Sequence, residues 1–203
     1  VKNNCFMYYN EKDSIVTFEL EPFVRIQKLI AEKFPPNGIQ KDIDKFDKLL
    51  LQSLEEIFEI KIARNPEEVA EEVIDLMMYL GSLYNTMKDY SKEIEIPKHH
   101  FNVTMKNNKD IMNGKLYDVL DYVENSLFSI RRQYPERKWH KEYNISSIDK
   151  EKRFNTTLYV ILECIKKVAE VLFEMVLDEE KLIELINYKQ NYILSINNPV
   201  QVS

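Results

Sequence analysis

The stretch from Val69 to Leu83 constrains the fold more than any other part of the chain. Val69, Leu76, Tyr79 and Leu83 share one helical face with Glu72, and Val73, Ile74, Met77, Met78 and Leu80 fill most of the remaining circumference. A helix that is apolar nearly all round must be buried. Other helices therefore have to surround it, and the segment predicts a helical bundle. Composition agrees. Only Gly38, Gly81 and Gly114 occur among the 203 residues, which excludes a dinucleotide fingerprint or a phosphate-cradling glycine loop, since both need clustered glycines. Abundant Leu, Ile, Glu and Lys favour helices.

The rest of the pattern supplies about five to six helices in a single all-α domain spanning residues 1–203. Ile15–Leu20 alternates loosely and is compatible with a short extended piece. From Glu21 onward Phe23, Ile26, Leu29 and Ile30 recur at helical spacings, until Pro35-Pro36-Asn37-Gly38 ends the run. A second helix is expected over about Lys41–Ala63. Asn65-Pro66-Glu67-Glu68 starts a third, with Asn as the cap, Pro at the first helical position and acids in the first turn. It should run to about Lys88. Residues 91–113 read as a long connection. A fourth helix is expected over Lys115–Arg132, a basic loop over Tyr134–Ser147, and two further helices over about Asp149–Val176 and Asp178–Ser195.

Charge and cysteine content narrow the function. The net charge of −6 argues against a protein that coats DNA or RNA. An acidic protein can still handle anionic substrates when a metal supplies positive charge. Cys5 and Cys164 are too few and too far apart for a disulfide framework or a zinc site. A reducing, cytoplasmic setting is expected. The longest apolar stretches contain Asp75 or Glu163, so no membrane span is expected.

The carboxylates between Leu50 and Tyr84 carry the chemistry. Glu56 and Glu59 lie three residues apart on one predicted helix, and Glu72 and Asp75 three apart on the next. That spacing places each pair on one face. A short connection around Asn65 lets the two helices pack antiparallel, so the pairs can converge. Glu72 and Asp75 stand among apolar neighbours, where an ionised carboxylate is costly without a partner. Clustered acids repel unless a cation neutralises them. Carboxylates without His or Cys suit Mg²⁺, or alternatively Mn²⁺, better than zinc. Taken alone, Glu55, Glu56 and Glu59 lie opposite the apolar stripe and also fit a solvated face. Glu67, Glu68 and Glu71 fit a first turn favoured by the helix dipole.

With these residues in hand, the chain resembles the all-α nucleotide pyrophosphohydrolases, the MazG-like superfamily with the dimeric dUTPases and dCTP pyrophosphatases. Glu55-Glu56-x-x-Glu59 matches the family's EExxE, and Glu72-x-x-Asp75 its ExxD, with twelve residues between Glu59 and Glu72. The resemblance covers about residues 23–90; the helical half at about 115–195 is outside it. It implies a helical bundle, expected to be a homodimer. It assigns Glu56, Glu59, Glu72 and Asp75 as metal ligands, with Glu55 and Glu56 as catalytic candidates and Glu55 placed to take a proton from water. It also implies hydrolysis of a nucleoside triphosphate, with dUTP or dCTP as candidates, to monophosphate and pyrophosphate. The family's late-helix Lys and Asn find an echo in Lys189 and Asn191, but the Arg that follows them in the family has no counterpart here.

Other features are weaker. Arg131–Lys141 is the most basic stretch; Arg137, Lys138 and Lys141 are candidates for phosphate and Trp139 for stacking on a base, against a solvated loop anchored by Trp139. Asp118, Asp121 and Glu124 fit a solvated helix face. His99-His100 has no third ligand nearby, and His140 fits a surface or phosphate-contacting position better than a general base. Cys164 fits the core. The competing reading is a non-catalytic helical interaction protein whose acids are solvated or capping.

Overall fold

The computed structural model describes residues 7–10, 12, 15–33, 42–90, 100–104, 114–133, 147–175 and 179–195. Six helices carry the core: α1 (Leu20–Lys33), α2 (Asp42–Ile62), α3 (Pro66–Tyr90), α4 (Lys115–Gln133), α5 (Ser147–Met175) and α6 (Glu179–Ser195). Each falls within a few residues of the helix expected from the apolar spacing. A small sheet accompanies them, formed by β1 (Met7–Asn10), β2 (Ile15–Glu19) and β3 (His100–Thr104) in the order β1-β2-β3. Both pairings are antiparallel, with Tyr8 opposite Thr17 and Thr17 opposite Asn102.

The sheet qualifies the all-α expectation. Ile15–Glu19 is the extended piece that the alternation suggested, and it runs straight into α1 at Leu20. His100 belongs to β3 and not to a loop. A five-residue strand has too short a local signal to be read alone. Its partner lies more than eighty residues away in the chain, so the pairing is a non-local fact.

Helix α3 is central, as its all-round apolar surface requires. It packs against α2, α5 and α1. Val73, Ile74, Leu76, Met77, Leu80, Leu83, Tyr84 and Met87 are all buried. Around this axis α4 packs on α5 and α2, and α6 lies along α1. The turn into α3 is capped as its sequence implies: Asn65 Oδ1 accepts from the Glu68 N–H at 2.9 Å, while a Glu68 carboxylate oxygen accepts from the Arg64 N–H at 2.8 Å. This short turn forces α2 and α3 to run back along each other.

The α1–α3 contact depends on Gly81. A methyl group at this position would stand 2.7 Å from Cε1 of Phe23 and 3.2 Å from Cγ of Gln27. Phe23 is itself fully buried, so the two helices approach closely only because residue 81 has no side chain. Asn85 Nδ2 donates to the Val24 carbonyl at 2.7 Å across the same interface. No helix among the described residues is long and apolar enough to cross a membrane.

Candidate metal centre

Glu56 and Glu59 come from the later turns of α2, and Glu72 from the second turn of α3. The antiparallel packing brings one carboxylate oxygen of each within 4.8 Å of the other two. Three of the four carboxylates expected to act together thus converge. Glu59 is exposed, while Glu56 and Glu72 are partly buried.

The electrostatics of the cluster are those of like charges held together. Burial, followed by the charges of Asp75, Glu59 and Glu72, pushes the Glu56 carboxyl up from 4.5 to about 8. Glu72 is also raised, by burial first and then by Asp75 and Glu59, against the opposing effect of Lys189. The hydrogen bond between Glu56 and Glu72 raises the first and lowers the second. The Glu56 Oε2 atom is buried without a hydrogen-bond partner, a costly position for an acceptor.

Asp75 is placed differently. Its Oδ2 accepts from Lys189 Nζ at 2.6 Å, and the same ammonium donates to the Glu71 carbonyl at 3.0 Å. The Lys189 side chain is only 18% exposed. Asp75 still acts on the cluster through its charge, but its nearest cation is a lysine of α6. Lys189 was a weak candidate for substrate binding on sequence grounds; its position beside the fourth carboxylate could not be read locally, because α6 lies more than a hundred residues further along the chain.

Other candidates separate clearly. Glu55 is exposed on α2, close enough for its charge to act on the Tyr79 hydroxyl. Asn191 is exposed on α6 and makes no hydrogen bond or ion pair with the cluster. Arg137, Lys138, Trp139, His140 and Lys141 lie outside the described residues, as does His99. Asp121 and Glu124 pair with Lys61 at 3.6 and 3.5 Å at the α2–α4 contact, and Asp118 is exposed, in keeping with a solvated face. Cys164 is buried in α5 and its thiol is pushed up to about 12, chiefly by burial.

Tyr79 was read only as an apolar-face residue. It lies one turn beyond Asp75, and its hydroxyl is raised by burial and then by Glu56, Asp75, Glu55 and Glu59. It also lines a cavity between α1, α2 and α3. The same three-and-four spacing that located the acids could have extended the site to Gln52 and Tyr79.

The donor set fits a hard divalent cation. It offers carboxylate oxygens alone, which suit Mg²⁺ or Mn²⁺, and it includes a buried oxygen with no partner. Comparison with protein-family models, curated proteins and solved structures finds no match for this chain.

Proposed function

We propose that the protein is a Mg²⁺-dependent nucleotide pyrophosphohydrolase that cleaves a nucleoside triphosphate to monophosphate and pyrophosphate. The observation that carries this reading is the convergence of Glu56, Glu59 and Glu72 from two helices, with Glu56 raised to about 8. Folding spends free energy to hold like charges together, and a site for cations explains why. The EExxE and ExxD resemblance supports the same reaction, with dUTP or dCTP among the candidate substrates.

When bound, Mg²⁺ or Mn²⁺ supplies charge to neutralise phosphate oxygens and acidifies a water. Glu56, Glu59 and Glu72 would hold the ion through their converging carboxylate oxygens. Asp75 completes the set when its carboxylate is shared with Lys189 or released by it. Glu55, exposed at the edge of the cluster, is the candidate to accept a proton. Lys189 has a second use: its ammonium can turn from Asp75 to a phosphate oxygen.

We take the working unit to be a homodimer. Leu51, Phe58 and Ile62 are exposed along one face of α2, and covering them supports that assembly.

A non-catalytic interaction protein is the competing reading, and one observation favours it. Lys189 already pairs with Asp75, which is how a purely structural carboxylate would be satisfied. A thermal-shift titration with Mg²⁺ separates the two. The hydrolase reading expects the unfolding temperature to rise with Mg²⁺ in the native protein and not in Glu56→Gln or Glu72→Gln. An unchanged temperature in the native protein up to millimolar Mg²⁺ favours the interaction protein.

A further inference from the structure

A cavity of about 430 Å³ adjoins the carboxylate cluster, between α1, α2 and α3. Tyr79 lines it and feels the charges of the cluster, and one helical turn separates Gln52 and Tyr79 of the lining from Glu56 and Asp75 of the cluster. The same spacing continues on both helices. Lys45, Lys48, Gln52, Glu56 and Glu59 follow one another at spacings of three and four along α2, and Asp75, Tyr79 and Ser82 do so along α3. At 1.5 Å per residue, Lys48 stands roughly 12 Å along α2 from Glu56.

The chemistry changes along the groove. Its lining includes three uncharged polar residues, Gln52, Ser82 and Asn85, beside the apolar Ile30, Ala31 and Leu49. The Asn85 amide nitrogen is committed to the Val24 carbonyl, which leaves its Oδ1 as an available acceptor. Ser82 Oγ donates to Gln27 Oε1 at 3.4 Å. Behind it Gln27 is only 2% exposed, and its Nε2 has no hydrogen-bond partner. A set of amide and hydroxyl groups in a cavity of this size suits a nucleoside-sized ligand.

The far end is basic. Lys45 and Lys48 lie there, toward the start of α2, with Lys28 of α1 also in the lining; Glu32 is the one acid that lines the cavity. None of the three lysines makes an ion pair with a described residue. In a chain of net charge −6, this is a local excess of positive charge. It lies at the opposite end of the groove from the acids, where an unsubstituted nucleoside presents no charge to receive it.

We propose that this cavity takes the nucleoside of the substrate together with a second anionic group, so that the preferred substrate class is a nucleotide phosphorylated on its sugar as well as on its 5′ chain. The assignment rests on the reading of the carboxylate cluster as the site that holds the 5′ phosphates. Lys45 and Lys48 contact the sugar phosphate, with Lys28 across the groove, while the amides of the lining face the base.

Calorimetric binding to the full chain in Mg²⁺ tests this, using nucleoside 3′,5′-bisphosphates of the four bases against the matching 5′-monophosphates. The expected result is about tenfold tighter binding of the bisphosphate for at least one base, the scale of one charge-assisted contact. Lys45→Ala/Lys48→Ala should abolish the preference, while Lys45→Arg/Lys48→Arg should keep it. Equal affinity for the two ligands, no binding of either, or a preference that survives the alanine pair would overturn the assignment. Failure of the hydrolase reading looks different: the lysine-dependent preference persists while no nucleotide releases pyrophosphate.

Discussion

At the scale of single residues, Glu56 decides most. It carries a carboxyl raised to about 8 beside three other acids, so without a metal the folded protein holds a proton that the unfolded chain loses near 4.5. This contribution to stability is fully present below about pH 4.5 and is lost as pH rises through about 8. In EDTA the unfolding temperature should therefore fall between about pH 5 and pH 8.5. Glu56→Gln should flatten that slope, because the amide stays neutral throughout, and Mg²⁺ should flatten it in the native protein. A slope unchanged by the substitution would place the effect elsewhere. Cys164 gives a control remote from the site. Its thiol, buried and raised to about 12, should resist a thiol-reactive dye in folded Cys5→Ser protein and react fully once urea unfolds the chain. Rapid labelling of the folded protein would contradict its place in the core.

At the scale of elements, the site depends on how α1, α2 and α3 are clamped. Gly81 sets the α1–α3 approach, and Gly81→Ala should cost about 1–3 kcal/mol by overpacking against the Phe23 ring. Urea unfolding measures this, and a cost near zero would show that the helices can separate freely. The three helices were legible in the sequence because each carries its own evidence: apolar spacing around Phe23 for α1, the apolar row of Phe46, Leu50, Leu54 and Ile57 for α2, and the Asn65-Pro66 start with the all-round apolar run from Val73 for α3. The convergence of Glu56, Glu59 and Glu72 followed, since a short turn leaves α2 and α3 little choice but to lie together. The Asp75–Lys189 pair and the basic end of the cavity were not legible. Lys189 was expected at the substrate and not beside Asp75, and nothing local singles out Lys28 or Lys45; the pairing and the shared cavity follow from how the helices pack. The β2–β3 pairing escaped for the same reason.

At the scale of the whole molecule, one buried helix organises everything else. Because α3 is covered by α1, α2 and α5, Glu72 near its N-terminal end lies beside the face of α2 that bears Glu56 and Glu59. The fold thus combines an apolar axis with an anionic end, where the proposed cation would offset the repulsion among the acids. The exposed Leu51, Phe58 and Ile62 of α2 belong to this scale too. Sedimentation equilibrium should give twice the chain mass of 24.3 kDa, and Phe58→Asp should shift it toward the monomer. A native protein that sediments as a monomer at micromolar concentration would remove the dimer from the account.

The most direct measurement is pyrophosphate release from a panel of ribo- and deoxynucleoside triphosphates, in Mg²⁺ or EDTA, by the native protein and Glu72→Gln. The account predicts release that requires Mg²⁺ and falls by about two orders of magnitude or more in the variant, with helical circular dichroism unchanged. Well-folded native protein that releases no pyrophosphate from any of them in Mg²⁺, or a Glu72→Gln variant as active as the native protein, would contradict it.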